Sequence, residues 1–332
     1  MSLIRVITAT AELLDKTSRM RPGRSWDDPA LEQALRQVRA GRLEPGLELV
    51  RQARDDHEVR ALRVEQLGIA ARAHTEALLR LAGDDPDALL WLGAARIRQA
   101  WAIRGGSYAA YVGEQRFARF HEVLADAAVP LRQAAEARPD DPVPWERLQW
   151  HALGAQAGRQ ELDRLWAELT ARAPHLYLGH YTRVQVLCGK WHGSDGEVLA
   201  FARHAADAAP PGDPVTAALA LAHFEVAWGR IGESERTARE ILEGYFGDPE
   251  VAGPLVAAAD KWREGARPHP RALDAAHLFG AALYHGGHLT GAQRLLEGLG
   301  RRMPENQPWA VGSLLPGRHY ARVRRDLGLA WR

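Results

Sequence analysis

Apolar residues recur along this chain at steps of three and four, and no useful stretch alternates with period two. Leu162, Leu165, Trp166 and Leu169 form an i, i+3, i+4, i+7 stripe, the spacing that gives a helix one buried face. Between such stretches stand Asp28-Pro29, Asp85-Pro86, Asp141-Pro142, Asp213-Pro214 and Asp248-Pro249, each leading into an alanine- and leucine-rich run. Proline suits the first helical turn, where its missing N–H has no intrahelical partner, and a preceding Asp can cap the exposed amides. The five dipeptides therefore predict five helix starts of one kind. The prolines at 29, 86, 142, 174, 214, 249 and 270 stand 57, 56, 32, 40, 35 and 21 residues apart. Several of these intervals lie near the roughly 34-residue period of a helix–turn–helix repeat. The pattern predicts an all-α chain without a sheet.

The clearest unit covers residues 273–304. Its first helix carries Ala276, Phe279, Gly280 and Leu283, and its turn is His285-Gly286-Gly287-His288. Thr290 and Gln293 have the spacing of a capping box for a second helix that holds Ala292, Leu296 and Leu299. The unit resembles the tetratricopeptide repeat: Gly280, Ala292 and Pro304 occupy its small, small and closing-proline positions, while Ala276 stands where an aromatic is usual. Small residues at these places let two helices cross closely, and neighbouring units then bury a continuous core. The resemblance implies a right-handed superhelix of antiparallel helix pairs, a tetratricopeptide-like α-solenoid of roughly twelve to sixteen helices.

Weaker copies cover residues 142–173, 174–210 and 214–246. In 174–210 the second helix starts at Ser194, three residues before Glu197; in 214–246 helices run from Val215 to Trp228 and from Ser234 to Leu242. On this reading residues 1–25 are an N-terminal arm or atypical cap. Residues 26–141 are a helical part, 142–304 hold the repeats, and 305–332 form a C-terminal cap.

Two places depart from repeat regularity. Residues 104–113, Arg-Gly-Gly-Ser-Tyr-Ala-Ala-Tyr-Val-Gly, insert a loop between helices expected at 86–103 and 114–138, and Gly189-Lys190-Trp191-His192-Gly193-Ser194 bends the chain in the unit 174–210. Insertions in helical hairpins often carry function. An Arg-Gly loop and a Lys-Trp-x-Gly-Ser turn within helical repeats also resemble an uncharacterised group of proteins from GC-rich bacteria, a likeness that implies the fold and no activity.

The chain has 332 residues, 46% of them hydrophobic and 26% charged, the balance of a core-forming globular chain. Forty of its 43 basic residues are arginine and only Asn306 is asparagine, the bias of a GC-rich bacterial genome. With 42 acidic residues the net charge is +1, which gives no electrostatic reason to expect nucleic acid as partner. No apolar run approaches the roughly 20 residues that span a bilayer, and the opening Met-Ser-Leu-Ile-Arg-Val-Ile is too short for a signal-peptide core. The expectation is a cytoplasmic protein. Cys188 is the only cysteine, which excludes an internal disulfide, a zinc ribbon and a CxxC redox pair.

The candidate chemistry is thin. Asp55-Asp56-His57-Glu58 looks like an aspartate-rich magnesium motif, but its partner motif needs an Asn, and Asn306 stands in Pro-Glu-Asn-Gln-Pro. The two carboxylates are better read as caps for a helix over 57–82. His57-Glu58 and His121-Glu122 lack the second His of a zinc-protease helix, so neither a metal nor a cofactor is expected. Ser107 and Ser194 each miss a glycine of a nucleophile elbow, and Cys188 stands among Val184, Val186 and Leu187 as a core residue would. The stretch 318–325 is read as a capping helix with a solvated Arg face.

What remains is the eleven tryptophans. Most are read as fillers between alanine-rich helices, but Arg and Trp are also the residues most enriched in binding hot spots. Trp101, Arg104, Tyr108, Lys190, Trp191 and His192 fall at the two irregular places and form the candidate binding set. Two functions fit: a scaffold that holds a peptide or protein on its concave face, or an enzyme or small-molecule sensor with a pocket between loop 104–113 and turn 189–194. The scaffold is preferred, because no catalytic set is visible.

Overall fold

A computed structural model describes residues 15, 18–105, 113–305 and 307–329. The described residues are all-α apart from one two-residue strand pair, and the chain divides into two compact units. One unit is Asp28–Val186; the other joins the residues up to Asp27 with those from Leu187 onward.

In the first unit the helices are α1 (Pro29–Arg39), α2 (Glu44–Gln52), α3 (His57–Ala71), α4 (Thr75–Ala82), α5 (Pro86–Arg104), α6 (Glu114–Ala125), α7 (Ala128–Ala137), α8 (Val143–Gly154), α9 (Arg159–Arg172) and α10 (Tyr177–Leu187). Asp28 and Asp85 cap α1 and α5 with Pro at the next position, as the dipeptides predict. Asp141 Oδ1 accepts from Val143 N at 3.0 Å and opens α8 one residue later than Pro142. Asp56 caps α3 through Val59 N at 3.0 Å, but the helix expected over 57–82 breaks after Ala71 and resumes at Thr75. The helix expected over 114–138 breaks likewise, at residues 126–127.

The burial pattern explains the hairpins. Residues 87–95 of α5 are buried without interruption, so this helix is covered on every side, whereas α9 buries only Leu162, Leu165 and Leu169. A helix apolar all round sits inside, and one with a single stripe sits outside. Small residues set the crossings: a Cβ on Gly154 would lie 2.9 Å from Leu124 Cδ2, and one on Gly179 would lie 2.8 Å from Leu169 Cδ2. The interior also holds an ionic cluster. Arg60 is 1% exposed, its Nη2 lies 2.7 Å from Asp87 and its Nε 2.7 Å from Asp141, which ties α3 to the starts of α5 and α8.

The second unit holds α11 (Asp195–Ala208), a 3-10 turn at Pro214–Ala217, α12 (Ala218–Gly232), α13 (Ala238–Phe246), α14 (Pro249–Glu264), α15 (Ala272–His285), α16 (Leu289–Leu296), a 3-10 turn at Glu297–Leu299 and α17 (Pro316–Asp326). Asp213 caps the 3-10 turn and Asp248 caps α14. Ser194 caps α11 as expected, accepting from Glu197 N at 3.2 Å. The helix expected from Ser234 starts instead at Ala238, because Thr237 and Glu240 form a reciprocal capping box. The box expected at Thr290 is absent: α16 already begins at Leu289 after His288, and Gln293 Nε2 donates to Leu327 O at 3.2 Å.

The expectation of no sheet needs one correction: β1 (Arg21–Pro22) pairs in parallel with β2 (Arg302–Met303). Two residues on each side are too few for period-two patterning to register. The C-terminal segment is held on α15 by histidine. His277 lies on Arg302 O at 2.9 Å and accepts from Trp309 Nε1 at 3.1 Å, while His319 Nδ1 lies 3.0 Å from Trp309 O. Among the described residues no helix is long and apolar enough to cross a membrane.

Candidate functional site

The six residues singled out by sequence fall into two settings. Trp101 and Arg104 end α5 in the first unit. The Arg104 guanidinium carbon lies 5.3 Å from the Trp101 ring centre and 6.0 Å from that of Phe117. Trp101 in turn packs edge-on against Phe120 and Trp150, at 5.3 and 6.1 Å between ring centres. Burial lowers the Arg104 pKa from its ordinary value. Tyr108 lies outside the described residues, as does the rest of the loop from 106 to 112.

Lys190, Trp191 and His192 lie in the turn before α11, in the second unit. Trp191 N and Gly193 N both donate to Cys188 O, at 3.0 and 3.3 Å, which closes the turn. A Cβ on Gly193 would run into the Leu187 carbonyl, so this glycine is required by backbone packing. Lys190 Nζ donates to Glu225 Oε2 at 2.6 Å. Glu225 is buried on α12 and also accepts from the Gln307 amide, so Lys190 supplies the charge that a buried carboxylate needs. Cys188 is buried, and burial followed by the Glu225 charge pushes its thiol up, away from the thiolate a nucleophile requires.

Other tryptophans lie under an arginine or in the core. Arg172 stands 4.8 Å over Trp145 and Arg183 5.7 Å over Trp166, and Trp91, Trp262 and Trp309 are core. Among the described residues no group of three His, Cys, Asp or Glu is placed to hold a metal ion. The buried histidines are neutral instead: burial pushes His277 and His285 down to about 3 and His223 down to about 4.

A second place in the second unit has the form of a binding site. A cleft of about 380 Å3 opens between α14 and the α15–α16 hairpin. Val256, Ala259, Leu283 and Leu295 give it an apolar floor, and the short residues Ala259, Gly287 and Gly291 leave the space open. A Cβ on Gly291 would approach Leu283 only to 3.7 Å, an ordinary contact. Leu289, half exposed, stands at the lip. The rim carries Asp260, Arg263, His288 and Arg294. Arg263 Nη1 donates to Asp260 Oδ1 at 3.2 Å, and the side chains of Arg294 and His288 make no hydrogen bond or ion pair among the described residues. Its volume is within the range of small-ligand sites, but the cleft is open to solvent and its lining is nearly as polar as it is apolar.

Sequence reasoning missed this cleft. The turn His285-Gly286-Gly287-His288 was visible, but α14 stands about a repeat earlier, and only packing brings Val256 and Ala259 against the hairpin. No family model matches the chain, and no curated protein or solved structure does.

Proposed function

We propose that the protein is a binding scaffold built of tetratricopeptide-like helix pairs stacked as a right-handed superhelix, and that its partner is a peptide or protein segment. The observation that carries the reading is the cleft between α14 and the α15–α16 hairpin, with its apolar floor and the exposed Leu289 at its lip. An apolar side chain of a partner would enter the floor, and the rim would read the polar groups beside it. The turn at Lys190, Trp191 and His192 and the stacked Trp101–Arg104 pair serve as supports in this reading, since Lys190 already meets Glu225 and Arg104 already covers Trp101. The helices that would face inward offer little open surface: residues 214–227 and 274–283 are buried without a break.

The test is selection from a random dodecapeptide display library against the full chain, repeated on Gly291→Met. A Cβ on Gly291 meets only the Leu283 side chain, at 3.7 Å, so the backbone admits the larger residue in the cleft lining. The reading expects peptides enriched on the wild type that lose binding to Gly291→Met. Enrichment that survives this substitution, or no enrichment at all, would contradict it.

A further inference from the structure

We infer that the occupant of the α14–α16 cleft is an acidic peptide segment, one that carries a carboxylate beside an apolar side chain; this rests on the scaffold reading above. Charge left over on the rim selects the partner. Of the charged groups on the rim, Asp260 and Arg263 satisfy each other at 3.2 Å, which leaves Arg294 without a carboxylate among the described residues. His288 adds a ring nitrogen that can donate a hydrogen bond, and Thr290 adds a hydroxyl. Among the described residues no second carboxylate lines the cleft, and the one that does, Asp260, is already paired. The apolar floor of Val256, Ala259, Leu283 and Leu295 calls for an apolar side chain in the same ligand. A peptide supplies both within one segment, and the open mouth lets its backbone pass on either side.

The experiment is fluorescence anisotropy of the full chain with three fluorescein-labelled dodecapeptide pools. All three have the same leucine content, and their remaining variable positions are Glu, Gln or Lys. The Glu pool should bind, the Gln and Lys pools should bind at least about tenfold more weakly, and Arg294→Glu should weaken the Glu pool by at least about tenfold. Added salt should weaken the Glu pool as well. Equal binding of the Glu and Gln pools, or an Arg294→Glu protein that binds the Glu pool as the wild type does, would overturn the inference. If those pools nevertheless lose binding to Gly291→Met, the cleft still holds peptides and only the acidic preference is wrong. If N-acetylglutamate displaces the Glu pool at equal concentration, the ligand is a small carboxylate and the peptide assignment falls. Circular dichroism of both variants checks that each retains the helical spectrum.

Discussion

A Cβ placed on Gly280 would lie 2.5 Å from Cδ2 of Leu296, so α15 and α16 cross at a distance only glycine allows. Leu296 is fully buried and Ala292, one turn before it, is buried as well, so neither neighbour has room to give way. Gly280→Leu should therefore overpack the crossing and cost about 1–3 kcal/mol, read as a lower urea midpoint at unchanged slope. A midpoint like that of the wild type would mean the crossing is looser than described.

Gly193 makes a comparable demand in a turn. Its missing side chain is what lets the backbone lie against the Leu187 carbonyl, and backbone cannot rotate away. Gly193→Ala should lower the melting temperature more than Trp191→Ala does, although the alanine adds one carbon and the other change removes a whole ring. Arg104→Ala should cost still less, about 0.5–1 kcal/mol for its lost stacking over Trp101. If Trp191→Ala proves as damaging as Gly280→Leu, Trp191 is core.

Arg60 lies buried between the buried carboxylates of Asp87 and Asp141; Asp87 also meets the half-exposed Arg54, whereas Arg60 is the cation that meets Asp141. Arg60→Met removes the charge and leaves the carboxylates in place, which should cost about 3–5 kcal/mol. Adding Asp141→Asn should recover part of that loss, because one uncompensated charge is then gone. Chemical denaturation of the single and double variants gives the comparison; no recovery would mean that Asp141 does not depend on Arg60.

Acid should weaken the second unit. His277 and His285 stand at about 3 and His223 at about 4, against an ordinary 6.5, because burial penalises the imidazolium. Above pH 6.5 both folded and unfolded forms are neutral and the fold loses nothing. As pH falls below that value the unfolded chain takes up protons that the folded one refuses, so stability drops progressively toward pH 3–4. The slope approaches about 1.4 kcal/mol per pH unit for each histidine. Melting at pH 7.5 and pH 5 should show a clear fall, smaller in His277→Gln. Equal melting temperatures would show that the rings are not shielded as described.

How far these features could be read in advance depended on their range along the chain. Asp28, Asp85 and Asp248 cap helices because Asp-Pro is a local device, and Gly280 was visible because its partner helix follows within one hairpin. Thr290 misled for a local reason too: its spacing to Gln293 suits a cap, but Gln293 reaches Leu327 O and the helix starts at Leu289. Lys190 could not be paired with Glu225 from sequence, since 35 residues separate them and Glu225 stands in a mostly apolar stretch that reads as core. The cleft was hidden for the same reason, being made by α14 meeting a hairpin that carries no metal or nucleophile pattern.

The central claim is that a peptide seats in the α14–α16 cleft, and position tests it most directly. Benzoylphenylalanine replaces Leu289 at the lip in one protein, and Leu314, the most exposed large apolar residue outside the cleft among the described residues, in another. Each is irradiated with a labelled peptide selected on the wild type, and adducts are counted by mass spectrometry. The account predicts adducts through position 289 and few through 314. Equal labelling at both positions, or labelling at 314 alone, would contradict it.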